Sequence, residues 1–224
     1  MLLDLLTQGL SLQDMLIQIL LTIPTIFIAL TFHEVAHGWM SYKLGDPTAY
    51  NMGRLTLNPL KHLDPIGALC MLVVGFGWAK PVPVNARYYK NPKRGMALTA
   101  FAGPAMNLIL AFFGVIIYRV INHFGYLLIP NGLLVYVLFL LFYYFAYLNI
   151  YLAVFNLIPI PPFDGSRIAY VFLPTNLYFK IMRYERIIQI IVMVALVSGI
   201  VSLPIGFIAD GIQYAMEWLI GLVI

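Results

Sequence analysis

Two histidines four residues apart, with a glutamate beside the first, make up His33-Glu34-Val35-Ala36-His37. On a helix, residues four apart share a face, so both imidazoles can reach one ion. Glu34 is placed to take a proton from water bound to that ion. The pattern is short and arises by chance in soluble proteins. Here it lies inside an apolar stretch long enough to span a bilayer, where three ionisable residues are expensive and mark function. The plain alternative is a polar helix contact or a snorkelling cluster, which needs three costly residues to fall at ligand spacing by accident.

Two histidines do not complete a catalytic zinc site, which uses three protein ligands plus water. Asp164 is the strongest candidate for the third, in Asn156-Leu-Ile-Pro-Ile-Pro-Pro-Phe-Asp164-Gly165. Pro159, Pro161 and Pro162 must unwind the end of an apolar span and present Asp164 on extended chain. The competing reading is a carboxylate that caps a short helix after Gly165. Asn107, in Ala102-Gly103-Pro104-Ala105-Met106-Asn107, is an amide near mid-membrane. Spacing alone leaves it divided between an interhelical hydrogen bond and a catalytic role. His62 and Asp64, among prolines, read as a surface turn rather than a second site. His123 reads as part of a short external loop, and the aromatic run Tyr143–Tyr151 as packing and interface anchoring.

The elements that must position these groups follow from composition. The chain has 224 residues, 62% hydrophobic and 10% charged, far from the balance of a soluble domain. The fold expected is an all-α polytopic membrane protein forming one domain over 1–224, its catalytic core about 16–168 and its C-terminal helices about 186–222. Five segments approach the roughly 20 residues needed to span: Leu16–Tyr42, Met96–Tyr118, Gly132–Ile158, Arg186–Ser202 and Pro204–Leu222. A sixth apolar run, Ile66–Ala79, contains Gly67, Gly75 and Gly77 and suits a re-entrant segment better than a crossing. If it dips and returns, all of the 13 Lys and Arg except Arg119 fall on one face. The positive-inside rule then favours five spans over six, an external N-terminus and a cytoplasmic C-terminus. The start, Met1–Leu16, carries Asp4 and Asp14 but no cationic residue, so the first span is expected to be permanent. Cys70 is the only cysteine, which excludes an intrachain disulfide and a thiolate cluster. The modest net charge of +4 points to anionic lipid and not to nucleic acid.

Two stretches break the helical pattern: Thr48–Asn58 and Trp78–Asn85. Pro81 and Pro83 forbid a helix in the second and leave backbone groups unpaired. Pro81, Val82, Pro83, Val84 and Asn85 are therefore the expected edge onto which an extended peptide adds as a strand, a β-like element at the membrane surface. The charge distribution puts His37 and Asp164 at the cytoplasmic side. His37 lies six residues before Lys43, hence only roughly 10 Å below the interface.

Taken together, HEVAH, GPAMN and NLIPIPPFDG resemble the site-2 protease family of zinc intramembrane metalloproteases. GRLTLNPLKHLDP and GWAKPVPVN resemble its compact bacterial branch, which lacks an appended PDZ or CBS domain; the likeness runs from about Phe32 to Arg167. The resemblance implies one zinc ion per chain on His33, His37 and Asp164, with Glu34 as acid/base. It implies that Asn107 binds substrate or stabilises an oxyanion, and that the extended segments receive unwound substrate. The activity implied is hydrolysis of peptide bonds in or near transmembrane segments of membrane proteins, in the cytoplasmic membrane of a prokaryote. The competing function is a membrane zinc transporter or sensor, disfavoured because the chain has no internal repeat and one lopsided cluster. Substrate identity and oligomeric state stay open.

Overall fold

The computed structural model describes residues 12–74 and 78–223, which are all-helical apart from turns, extended connections and one isolated bridge. Asp4, Gly75 and Gly77, which enter the expectations above, lie outside the described residues.

Among the described residues, three helices are long and apolar enough to cross a membrane: α1 (Leu12–Lys43), α4 (Pro92–Leu128) and α5 (Gly132–Asn156). Between the first two lie the short α2 (Thr48–Asn51) and α3 (Pro65–Val74). After the third come α6 (Asp164–Ala169), α7 (Thr175–Met182), α8 (Glu185–Val197) and α9 (Ser202–Gly221). The boundaries follow local chemistry. Asn91 caps α4 by accepting the Arg94 N–H, with Pro92 opening the helix, and Asn131 caps α5 by accepting the Leu134 N–H.

α4 runs ten residues beyond the expected end at Tyr118, because nothing breaks it until Pro130. At 1.5 Å per residue it is about 55 Å long, more than a hydrocarbon core can hold. His123 thus stands on a continuing helix, not in a loop, with its ring edge-on to Phe124. α8 has 13 residues, shorter than the expected fourth span, and α9 has 20.

α4 packs against α5 and α1, and their small residues set the closeness. A Cβ on Gly114 would press on Ala146 of α5. α9 lies on α5 and α4, adding Ile205 and Ala209 to a core with Ala111, Ile150, Phe155 and Phe163. It also fixes a buried polar contact, in which Tyr118 donates to Glu217 and Gln213 donates to both. The aromatic run of α5 stacks within this packing: Tyr151 lies parallel on Phe155, and Tyr143 on Phe139.

The connection from α1 to α4 returns to the end of the bundle where it starts. The Ser41 hydroxyl bonds Tyr89 Oη at 2.7 Å. Asp46 Oδ2 accepts the Asn85 N–H at 2.7 Å, and Oδ1 the Thr48 N–H at 3.0 Å. Burial pushes the Asp46 carboxyl up, but these donors and the Ser41 hydroxyl outweigh it and hold it below the usual carboxylate range. Leu63 bridges Ala79 antiparallel, and Lys80 N–H donates to His62 C=O at 2.7 Å. Among the described residues that bridge is the whole of the β-structure, so Pro81–Asn85 is extended chain but not a named strand.

His62 departs from the surface turn expected of it. A turn does form at Pro59–Lys61, but His62 is fully buried beneath it, donating from Nε2 to Thr56 C=O at 2.8 Å. Asp64 turns away and caps α3 by accepting the Ile66 and Gly67 N–H groups. The two do not form a second site.

Candidate metal centre

α1 carries His33, Glu34 and His37, all buried. The two histidines face α4. His37 donates from Nδ1 to the Thr99 main-chain carbonyl at 2.7 Å, so its Nε2 carries the lone pair. His33 Nδ1 lies 2.5 Å from Asn107 Oδ1, which as an acceptor assigns the proton to Nδ1 and leaves Nε2 a lone pair as well.

Asp164 comes from the other side. α5 ends at Asn156, the proline-rich chain turns back, and α6 opens with Asp164 as its first residue. Gly165 makes the return possible, because a Cβ there would run into the Leu157 and Ile158 carbonyls. The α6 cap position is Phe163, with no side-chain hydrogen bond, so Asp164 is not spent on capping. Its Oδ2 sits 3.2 Å from His33 Nε2 and 3.1 Å from His37 Nε2.

The three ligand atoms fit a metal. The two Nε2 atoms are 2.9 Å apart, and with Asp164 Oδ2 they form a triangle of electron-pair donors. A tetrahedral zinc ion spaces such atoms roughly 3.3–3.5 Å apart, a few tenths of an ångström wider. Three electron-pair donors converging, with both imidazole N–H groups turned away, call for a cation at their centre. Gly103 clears the space, since a Cβ on it would strike Nε2 and Cε1 of His37 and Cε1 of His33.

These groups open onto a cleft of about 530 Å³ that Glu34, His33, His37 and Asp164 all line. Of the expected substrate edge, Pro81, Val82 and Val84 line it, whereas Pro83 and Asn85 do not. Asn85 is engaged in fastening the segment, through its N–H to Asp46 and its side chain to the Arg87 N–H.

Asn107 is brought to the centre but turned away from the cleft. It is fully buried; its amide donates to Asn149 Oδ1 at 2.7 Å and Ala29 C=O at 3.3 Å, while its oxygen meets His33. With both hydrogens committed it has none to offer a substrate carbonyl, so the oxyanion role implied by resemblance does not match this geometry. Thr99 and Asn149 are absent from the sequence reading. An amide within the apolar α5 is a signal that could have singled out Asn149; a backbone acceptor such as Thr99 has none. Asn156, Arg167, Glu185 and Gln189 also line the cleft, the last two from α8.

A model of peptidase family M50 matches residues 21–200. A Bacillus subtilis protein provisionally named zinc metalloprotease YwhC is 41% identical over 181 residues, 80% of each chain. Rip2 of Mycolicibacterium smegmatis, also provisionally named a zinc metalloprotease, is 28% identical over 151 residues, 65% of this chain and 54% of that protein. A Methanocaldococcus jannaschii protein with the same kind of name is 30% identical over 138 residues, 61% of this chain and 62% of its own. No solved structure matches.

Proposed function

We infer how this site works from the premise that the chain belongs to peptidase family M50 and is a zinc-dependent intramembrane protease. The observation that carries the assignment of residues is the convergence of His33 Nε2, His37 Nε2 and Asp164 Oδ2 beside Glu34 in one cleft. These three atoms would hold one zinc ion beside the cleft. Bound zinc supplies a Lewis acid for the scissile carbonyl and lowers the pKa of its water to about 7.

The remaining work belongs to the protein. Glu34 takes the water proton and delivers it to the leaving amine. Its Oε2 is engaged by the Val82 N–H at 2.8 Å, so Oε1 is the oxygen free to carry the proton. Asn107 acts by fixing the His33 ring and tautomer, and Thr99 does the same for His37. Pro81, Val82 and Val84 form the wall against which an unwound segment of a membrane-protein substrate lies. The transport reading is not favoured by the family or by the names of the relatives.

Asp164→Asn tests the ligand set. An amide oxygen is a poorer ligand than a carboxylate, so zinc affinity and cleavage of a transmembrane substrate should fall together. Competition with a chelator measures the first, and unchanged affinity with unchanged cleavage would place the third ligand elsewhere.

The proposed topology is five spans, with 66–79 re-entrant and the site near the cytoplasmic face. The Leu63–Ala79 bridge supports it, because a crossing segment could not bring its two ends together. In a Cys70→Ser background, single cysteines at the exposed positions Asn91 and Asn176 should label from the cytoplasm and one at Asn131 from outside. Labelling of Asn91 and Asn176 from opposite sides would make 66–79 a true span and end the five-span arrangement.

A further inference from the structure

Proline has no N–H, so in Pro81-Val82-Pro83 the main chain offers a single donor, that of Val82. That donor is given to Glu34 Oε2 at 2.8 Å, inside the cleft. The segment that presents it is fastened on both sides. Arg54, itself buried, donates from Nη2 to the Lys80 carbonyl at 2.7 Å and the Pro81 carbonyl at 3.2 Å. Lys80 N–H donates to His62 C=O, and Asn85 N–H to buried Asp46. A backbone tied down this way holds the Val82 N–H in a fixed direction.

We propose that the Val82 main-chain N–H is the positioning donor for Glu34, and that Arg54 acts on Glu34 through it. A buried carboxylate with no donor would be poorly solvated and free to turn about its last torsion. One charge-assisted hydrogen bond to Oε2 removes that freedom and aims Oε1 at the reacting water. The same residue lines the wall on which substrate rests. The general base and the substrate wall are therefore one hydrogen-bonded unit, and a peptide lying along 81–84 is in register with the group that will protonate its leaving nitrogen. This rests on Glu34 being the general base.

The test is an amide-to-ester exchange at Val82, replacing valine with its α-hydroxy acid by nonsense suppression in the full-length enzyme. It deletes the N–H and keeps the side chain. Misplacing a catalytic group by about 1 Å costs on the order of 10²-fold. We expect kcat for a transmembrane substrate to fall about 10–100-fold, with KM and resistance of zinc to a chelator unchanged. Val82→Ala keeps the N–H and trims the wall, so it should move KM more than kcat. Combined with Glu34→Gln, the ester should cost nothing further, because it acts only through Glu34. Unchanged kcat, a fall confined to KM or to zinc retention, or full additivity with Glu34→Gln would overturn the inference while leaving the general base in place. Wild-type cleavage by Glu34→Gln alone would instead overturn the reading beneath it. Arg54→Gln approaches the same link from outside and should lower kcat with zinc retained; a change in KM alone counts against the link.

Discussion

Glu34→Gln should bind zinc as tightly as the parent and unfold at nearly the same temperature, yet cleave a transmembrane substrate about 10²–10⁴-fold more slowly. The substitution is nearly isosteric, and glutamine can still accept the Val82 N–H through its amide oxygen. That pose puts the amide nitrogen where Oε1 stands, so the group facing the water becomes a donor with no basic lone pair. The imidazoles and Asp164 do not bond to Glu34, which is why metal affinity should be spared. Zinc content, thermal unfolding and single-turnover cleavage on one preparation check the three parts. Wild-type cleavage would end the assignment of Glu34 as general base.

The metal centre is largely legible in the sequence, for reasons that are local. His33 and His37 are linked by helical period, and the prolines before Asp164 interrupt a helix wherever they occur. The helices α1, α4 and α5 are legible because a bilayer demands long apolar runs. What hides is the set of contacts made across the chain by backbone atoms. Nothing in Thr99 announces that its carbonyl will take the His37 proton, and nothing in Val82 that its N–H will face Glu34. Asn107 shows the same limit. Spacing reveals an amide in an apolar helix, but only the positions of Ala29 and Asn149 decide that its hydrogens point away from the cleft. α9 falls close to the expected Pro204–Leu222, but its polar residues are not placed by pattern: Gln213 and Glu217 are satisfied by Tyr118 of a distant helix.

Gly103→Ala should be as damaging as loss of the general base, by a different route. Small residues in a membrane helix ordinarily signal close packing of two backbones. At Gly103 the nearest atoms are instead the metal-binding edges of His37 and His33. An added methyl must displace either the rings or α4. The rings are held by Thr99 and Asn107, both on α4 itself, so turning them away breaks the bonds that fix their tautomers. α4 cannot easily retreat, because Ala100, Pro104 and Asn107 on the same stretch are fully packed and Asn107 is tied to Ala29 and Asn149. Overpacking of this kind costs about 1–3 kcal/mol in a core. Loss of support around a metal ligand typically lowers affinity about 10–100-fold, and displacing the ligands themselves should reach at least the upper end. We therefore expect a protein that still inserts and folds, holds zinc on the order of 100-fold more weakly, and regains part of its cleavage when zinc is raised. Gly211→Ala is the matched control, since a Cβ there meets nothing within 4 Å. It should leave zinc affinity and activity alone. Stoichiometric, chelator-resistant zinc in Gly103→Ala would mean that the imidazole edges do not meet at this glycine, and the three-ligand geometry would have to be rebuilt.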